Sequence, residues 1–256
     1  MTLNRDLSSA GAFVILGAAG GIGSAIARSL AADGARLVLA GRRPEALDAL
    51  AAGLHAHGAE VETAAVEASD FAAVEALVAG AAQRHGLVAG IVNAVGSILL
   101  KPAHMTSEAD LADTLRQNVQ TAFAAVRAAG KVMTDGGSVL LFASSASEVG
   151  LPNHEAIAAA KAAVGGLARS AAATYAGRKL RVNALAPGLV ETPLAARITG
   201  NAKSLEVSVA MHPAGRIGRP EDVVPAARWL LDPASDWVTG QVIPIDGGMS
   251  RVRAGR

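Results

Sequence analysis

The residues best suited to chemistry begin with a run of glycines. Gly17-Ala18-Ala19-Gly20-Gly21-Ile22-Gly23 follows a short apolar stretch, Ala12 to Leu16, and precedes a segment with helical spacing. Glycine lets a backbone turn sharply and approach a bulky anion, and the helix that follows offers unpaired N–H groups. Strand, glycine turn and helix in that order make a cradle for a dinucleotide pyrophosphate, although the spacing GxxxGxG meets the GxGxxG fingerprint only loosely. A second signal stands where the next strand should end: Gly41, Arg42 and Arg43. Folds that bind NAD usually place a carboxylate there to accept the ribose hydroxyls. Two guanidiniums and no acid favour a phosphate instead, so the expected cofactor is NADP(H) rather than NAD(H). The plainer reading of the arginines is a solvated turn before Pro44. His55, His57, His85, His104 and His212 show no metal-ligand spacing, and no metal is expected. Ser144, His154 and Glu155 lack the nucleophile-elbow sequence of a hydrolase triad.

The elements that must position these groups alternate along the chain. Apolar runs predict strands at Ala12 to Leu16, Arg36 to Ala40, Glu60 to Val66, Ala89 to Asn93, Ser138 to Ala143, Arg181 to Ala184 and Val242 to Ile245. Helical spacing predicts helices over Ser24 to Asp33, Pro44 to Gly58, Asp70 to His85, Glu108 to Ala129 and Ile157 to Ala176. Such alternation means an α/β fold, a doubly wound parallel sheet with helices on both faces. One dinucleotide-binding domain is expected over residues 1–256. Thr192 to Pro213 has no clear period and is expected to be a substrate loop or lid.

Composition narrows the function. The chain has 256 residues, 51% hydrophobic, 18% charged and 3% aromatic, enough apolar material for a sizeable core. Lys plus Arg number 23 against 22 for Asp plus Glu, a balance that argues against a nucleic-acid or membrane-surface partner. There is no cysteine, which removes disulfides and thiolate chemistry. Leu7 to Ala27 is uncharged and sits where an export signal would lie, but Gly11, Gly17, Gly20, Gly21 and Gly23 interrupt it. A cytoplasmic protein with a small-molecule substrate is expected, and the tail Arg251 to Arg256 reads as a solvated end.

The glycine loop, Asn93-Ala94-Val95-Gly96, Asn118, Ser144, Lys161, Pro187-Gly188 with Thr192, and Ile245-Asp246-Gly247-Gly248 together resemble the short-chain dehydrogenase/reductase family. The similarity runs from about Gly11 to Gly248. It implies a Rossmann-type domain with a seven-stranded sheet, assembled as a homotetramer or homodimer through the helices of Asn118 and Lys161. It also implies that Gly17, Gly21 and Gly23, with Gly20 and Ile22 in the same loop, line the diphosphate. Glu67 and Ala68 would flank the adenine, and Asn93, Ala94 and Gly96 would form the cofactor floor. Lys161 would hold the nicotinamide ribose, while Thr192 and the Val190 backbone, following Pro187 and Gly188, would anchor the carboxamide. Leu16 stands where the family often has Thr, Glu67 where it often has Asp, and Ala94 where it often has Asn. Gly20 fills a position often basic in NADP-binding members.

The larger departure is catalytic. Relatives carry a tyrosine four residues before the lysine, with a serine about thirteen residues earlier; here Ser144 and Lys161 flank Ile157. The single tyrosine, Tyr175, lies further along the same predicted helix, roughly 27 Å from Ile157 at 1.5 Å per residue. Isoleucine cannot give or take a proton, so three readings stay open. An enzyme with Asn118, Ser144 and Lys161 would reduce an activated C=C or a C=N bond, or take its proton elsewhere, His154 and Lys101 being rim candidates. An NADP(H)-binding regulatory protein would keep the cofactor site without turnover. An ordinary carbonyl reductase or alcohol dehydrogenase would use another proton donor.

Overall fold

The computed structural model describes residues 11–253; the start of the uncharged run and Ala254 to Arg256 of the tail lie outside the described residues. Among them, seven strands form one parallel sheet: β1 (Ala12–Leu16), β2 (Arg36–Gly41), β3 (Val61–Ala65), β4 (Val88–Asn93), β5 (Gly137–Phe142), β6 (Leu180–Pro187) and β7 (Val242–Ile245). Their order is β3-β2-β1-β4-β5-β6-β7. Connections leave β1 in one direction and β4 in the other, so their C-terminal ends open the crevice where ligands bind in such sheets.

The helices are α1 (Gly21–Ala32), α2 (Pro44–His55), α3 (Phe71–His85), α4 (Glu108–Leu115), α5 (Thr121–Val132), α6 (Glu155–Tyr175), α7 (Ala196–Thr199), α8 (Ala202–Met211) and α9 (Pro220–Leu231). Side chains alternate across β1, and each set meets a different layer. Val14 and Leu16 pack with Val74 and Val78 of α3, Ala125 of α5 and Val164 of α6. Phe13 and Ile15 pack with Ile26 of α1, Leu47 of α2 and Val223 of α9. Burial on both faces explains why β1 is apolar at every position.

The structure departs from the sequence expectations in three places. The helix expected from Glu108 to Ala129 is interrupted by a π turn, Arg116–Gln120. Side chains support the interruption: Asn118 Nδ2 donates to the Thr114 carbonyl at 2.9 Å, and Thr121 Oγ1 to the Gln117 carbonyl at 2.9 Å. The expected loop over Thr192 to Pro213 holds α7 and α8, the latter capped by Asn201, whose side chain accepts the Ser204 N–H at 2.9 Å. Helix α9 was not foreseen, although Val223, Ala227 and Leu230 recur at helical spacing behind Pro220; Pro225 inside the helix obscures the pattern. Among the described residues, no helix is long and apolar enough to cross a membrane.

Candidate active site

The glycine loop is built from close backbone approaches. Gly17 has φ +76°, a left-handed conformation that favours glycine, and a Cβ there would stand 2.9 Å from the Ala94 carbonyl carbon. A Cβ on Gly23 would stand 2.4 Å from the Gly17 carbonyl oxygen, so α1 seats directly on the turn. At Gly21 the neighbour is Thr192, whose Cγ2 would lie 2.6 Å from an added Cβ. The fold thus brings Thr192 onto the loop across most of the sequence. Gly20, the N-cap of α1, has no side chain to cap it, and the first turn carries no acid. By contrast, Asp70 caps α3 and Ser107 closes a capping box on α4. The N–H groups of Gly21, Ile22 and Gly23 therefore lack intrahelical acceptors and remain available to an anion. This donor set, at the reversal point of the sheet, fits a dinucleotide diphosphate.

At the end of β2, Arg42 and Arg43 are exposed, and Arg43 is the N-cap residue of α2. Arg42 has acidic company. Burial pushes the Glu67 carboxyl up, but hydrogen bonds from the Ser69 N–H and hydroxyl, with the charges of Arg42 and Arg116, outweigh it and hold the group below its ordinary value. Ala68 beside it is buried.

Beyond β4, the polar groups are tied together. Asn93 is buried, and its Nδ2 donates to Thr121 Oγ1 at 3.2 Å while its Oδ1 accepts the Val95 N–H at 3.4 Å. Asn118, also buried, donates from Nδ2 to Ser97 Oγ at 2.9 Å and accepts the Ser97 N–H at 3.2 Å. Ser97 was not anticipated as a partner, because its tie to Asn118 depends on the π turn. Gly96 is the meeting point. A Cβ there would lie 2.9 Å from Asn118 Oδ1 and 3.3 Å from Lys161 Nζ. The Lys161 ammonium donates to the Phe142 carbonyl at 2.9 Å, and burial pushes its pKa down to about 8. One such bond leaves two of its three donors for other acceptors.

Ser144 follows β5 and is half-buried, its Oγ accepting the Ala146 N–H at 3.1 Å. Its neighbour Ser145 has a structural part that sequence alone did not reveal. Its buried Oγ lies 2.7 Å from Asp246 Oδ2 and 3.0 Å from the Ala186 carbonyl. Burial raises the Asp246 carboxyl, but bonds from Ser250, Ser145 and Gly248 prevail and keep it below its ordinary value. Val190 is buried and bridges to Gly218, and Thr192 Oγ1 accepts the Ala195 N–H at 3.3 Å.

Ile157 lies one turn before Lys161 on α6 and is only 5% exposed. Among the described residues it belongs to neither hydrophobic cluster of the sheet. Tyr175 ends α6, and its hydroxyl would lie 2.4 Å from a Cβ on Gly130 of α5, far from the glycine loop along the helix. His154 precedes α6 with Nδ1 2.8 Å from the Pro152 carbonyl, and Lys101 is paired with Asp110 at 2.7 Å. A cavity of about 740 Å³ opens at the opposite edge of the sheet beside Leu87, Arg181 and Trp237, away from these groups. Among the described residues, no group of three potential ligands could hold a metal ion.

Comparison with known proteins agrees with this geometry. Residues 17–250 match a family described as Enoyl-(Acyl carrier protein) reductase. Galactitol 2-dehydrogenase (L-tagatose-forming) of Cereibacter sphaeroides is 38% identical over 240 residues, covering 91% of this chain and 92% of the relative. "Inactive 2-(S)-hydroxypropyl-CoM dehydrogenase 2" of Xanthobacter autotrophicus is 34% identical over 233 residues, 89% of this chain and 100% of the relative. The crystal structure of levodione reductase superposes with a TM-score of 0.90 at 31% identity, covering 95% of this chain and 99% of the other. The parallel sheet with its glycine turn, the Asn118–Gly96–Lys161 junction and these near full-length similarities establish that the chain belongs to the short-chain dehydrogenase/reductase family.

Proposed function

We propose that the protein is an NADP(H)-dependent oxidoreductase that transfers hydride to or from a small organic substrate. We further propose that its substrate is one whose reduction needs no phenol beside the nicotinamide, an activated C=C or a C=N bond rather than an ordinary ketone. The observation that carries this reading is the pairing of an assembled site, Gly96, Asn118 and Lys161, with a buried hydrocarbon, Ile157, one turn from the lysine. When bound, the cofactor supplies the hydride. The N–H groups of Gly21, Ile22 and Gly23 bind the diphosphate, with Gly17 and Gly20 shaping the turn. Arg42 and Arg43 hold the ribose phosphate, and Glu67 and Ala68 border the adenine. Asn93, Ala94 and Gly96 form the floor, Lys161 holds the ribose hydroxyls, and Thr192 with the Val190 backbone fixes the carboxamide beside Pro187 and Gly188. Ser144 hydrogen-bonds the substrate, and Asn118 orders the groups around Lys161. Ile157 supplies no proton.

Hydride arrival at a ketone builds negative charge on oxygen, and lacking a general acid costs on the order of 10²–10⁴ in rate. Reduction of a protonated imine has no such requirement, and an activated alkene passes the charge to a distant carbonyl, its α-carbon then taking a proton from water. Parallel turnover of ketones, enones and cyclic imines with NADPH and NADH tests the reading. It predicts NADPH preference and slow ketone reduction; rapid alcohol formation by the native protein defeats it.

A second reading, a nucleotide-binding protein without turnover, is favoured by the same Ile157 and by similarity to a relative whose name calls it inactive. Tight NADPH binding with no turnover of any substrate class would select it. For assembly, a homotetramer or homodimer through α5 and α6 is proposed; the exposed Ala159, Ala162, Ala163 and Gly166 of α6 leave a surface flat enough for close packing. Light scattering gives the subunit number.

A further inference from the structure

One buried imidazole serves none of the chemistry above. His212 follows α8 and is 3% exposed. Its Nε2 lies 3.2 Å from the Leu189 amide nitrogen, and its Nδ1 2.6 Å from the Ser208 carbonyl oxygen. An amide nitrogen only donates and a carbonyl only accepts, so the contacts select one tautomer. Nε2 carries the lone pair, and Nδ1 carries the proton and gives it to Ser208. The ring is wedged as well as bonded. A Cβ on Gly188 would stand 2.5 Å from Nε2, and one on Gly247 3.8 Å from the ring's Cδ2. Around it, the Gly215 N–H donates to the His212 carbonyl at 2.8 Å, and the Ala214 N–H to the Gly247 carbonyl at 2.9 Å. Three segments meet at this side chain: the end of α8, the strap leaving β6, and the turn after β7.

We propose that His212 is a positioning residue that locks the strap from Gly188 to Thr192 onto α8 and so sets where the carboxamide-anchoring groups stand. The proposal rests on the cofactor reading of Val190 and Thr192. Leu189 lies between Gly188, which the ring wedges against, and Val190, so its amide bond fixes the strap's register. Docking of α8 and placement of the strap are then one event, because a single side chain bonds both. A histidine that only filled space would not need an acceptor aimed at an amide.

Two variants separate the roles. His212→Gln keeps an acceptor at the reach of Nε2, whereas His212→Leu keeps apolar bulk and removes it. In ligand-free protein, hydrogen exchange at the Leu189 amide should speed up about tenfold in the leucine variant, as expected for loss of one hydrogen bond, and stay near native in the glutamine variant. The NADPH dissociation constant should rise about tenfold for leucine and less than threefold for glutamine. Equal exchange and equal affinity in both variants overturn the proposal, as does a drop in thermal stability with cofactor affinity unchanged. Nitrogen NMR of the native protein gives a check that needs no variant: Nδ1 should be protonated and Nε2 bare, and the opposite tautomer sinks the idea. If the native protein binds no nicotinamide nucleotide, the functional reading fails, while the exchange and tautomer results still decide whether the latch exists.

Discussion

Replacing Ile157 with tyrosine asks whether a missing proton donor is all that separates this site from ketone reduction. Residues four apart on a helix stand about 5–6 Å apart at Cβ, so the phenol of Ile157→Tyr would enter the neighbourhood of the Lys161 ammonium. At about 5 Å and an effective dielectric near 20, the attraction between ammonium and phenolate is roughly 3 kcal/mol, about two pKa units below the ordinary phenol value of ~10. The new group would thus titrate near neutrality as part of a coupled pair with the lysine, whose own pKa burial lowers to about 8. A general acid so placed is worth about 10²–10⁴ in rate, or roughly 3–5 kcal/mol of barrier. The added ring enlarges a position outside both hydrophobic clusters of the sheet, so the fold should lose no more than about 1–3 kcal/mol. NADPH consumption with simple ketones, followed across pH, measures the gain, and Ile157→Phe controls for the ring alone. Tyrosine should raise kcat at least a hundredfold, phenylalanine should not, and the gain should fade as the phenol ionises. A folded, NADPH-binding tyrosine variant with no gain, or equal gains in both variants, refutes the reasoning.

Other perturbations follow from the same geometry. Arg42→Ala should weaken NADPH by about 10–100-fold, the worth of a charged hydrogen bond, and leave NADH nearly unchanged in a binding titration. Gly21→Ala should drive Cβ into Thr192, 2.6 Å from Cγ2 and 2.9 Å from Cβ, and loosen the cofactor; adding Thr192→Ser removes only the methyl and should recover only part of the affinity. Lys161→Met should stabilise the protein at neutral pH, because burial disfavours the ammonium and lowers its pKa from 10.5 to about 8. Between those values the unfolded chain holds the proton that the folded chain has released, so native stability rises with pH across that window. The advantage of methionine, up to about 3 kcal/mol below pH 8, should vanish by about pH 10.5 in denaturation series.

What could be read from the sequence was what short-range chemistry dictates. The apolar run of β1 and the glycine turn declared themselves because strand burial and backbone approach both restrict residue type locally. The start of α3 was legible for the same reason, with Asp70 accepting the Ala72 and Ala73 N–H groups. The π turn was not legible, since Asn118 and Thr121 reveal nothing until Thr114 and Gln117 are seen as acceptors. Nor was α8, whose residues are mostly exposed and so carry little apolar periodicity. His212 looked like any isolated histidine. Its meaning depends on Leu189 and Gly188, which reach it only once β6 and α8 are folded.

Lys161 bears on whether the proposed site is a relic or still at work. Burying an ammonium is costly, and among the described residues this one donates to the Phe142 carbonyl. Gly96 keeps the space beside it clear, since any larger residue would crowd both Nζ and Asn118 Oδ1. The fold itself gains little from the lysine, since methionine would fill its volume without the desolvation. A cation with spare donors beside a cleared space is what a ligand with hydroxyl oxygens requires. The arrangement makes sense when those hydroxyls arrive and offset the desolvation, which places the cost of Lys161 in the ligand-free protein and its return in the bound one. Nucleotide binding should therefore raise the Lys161 pKa, and protein lysine NMR with and without NADPH should show a shift upward from about 8. A lysine that titrates identically in both states would mean that the ammonium is buried for the fold and that the cleared space serves nothing.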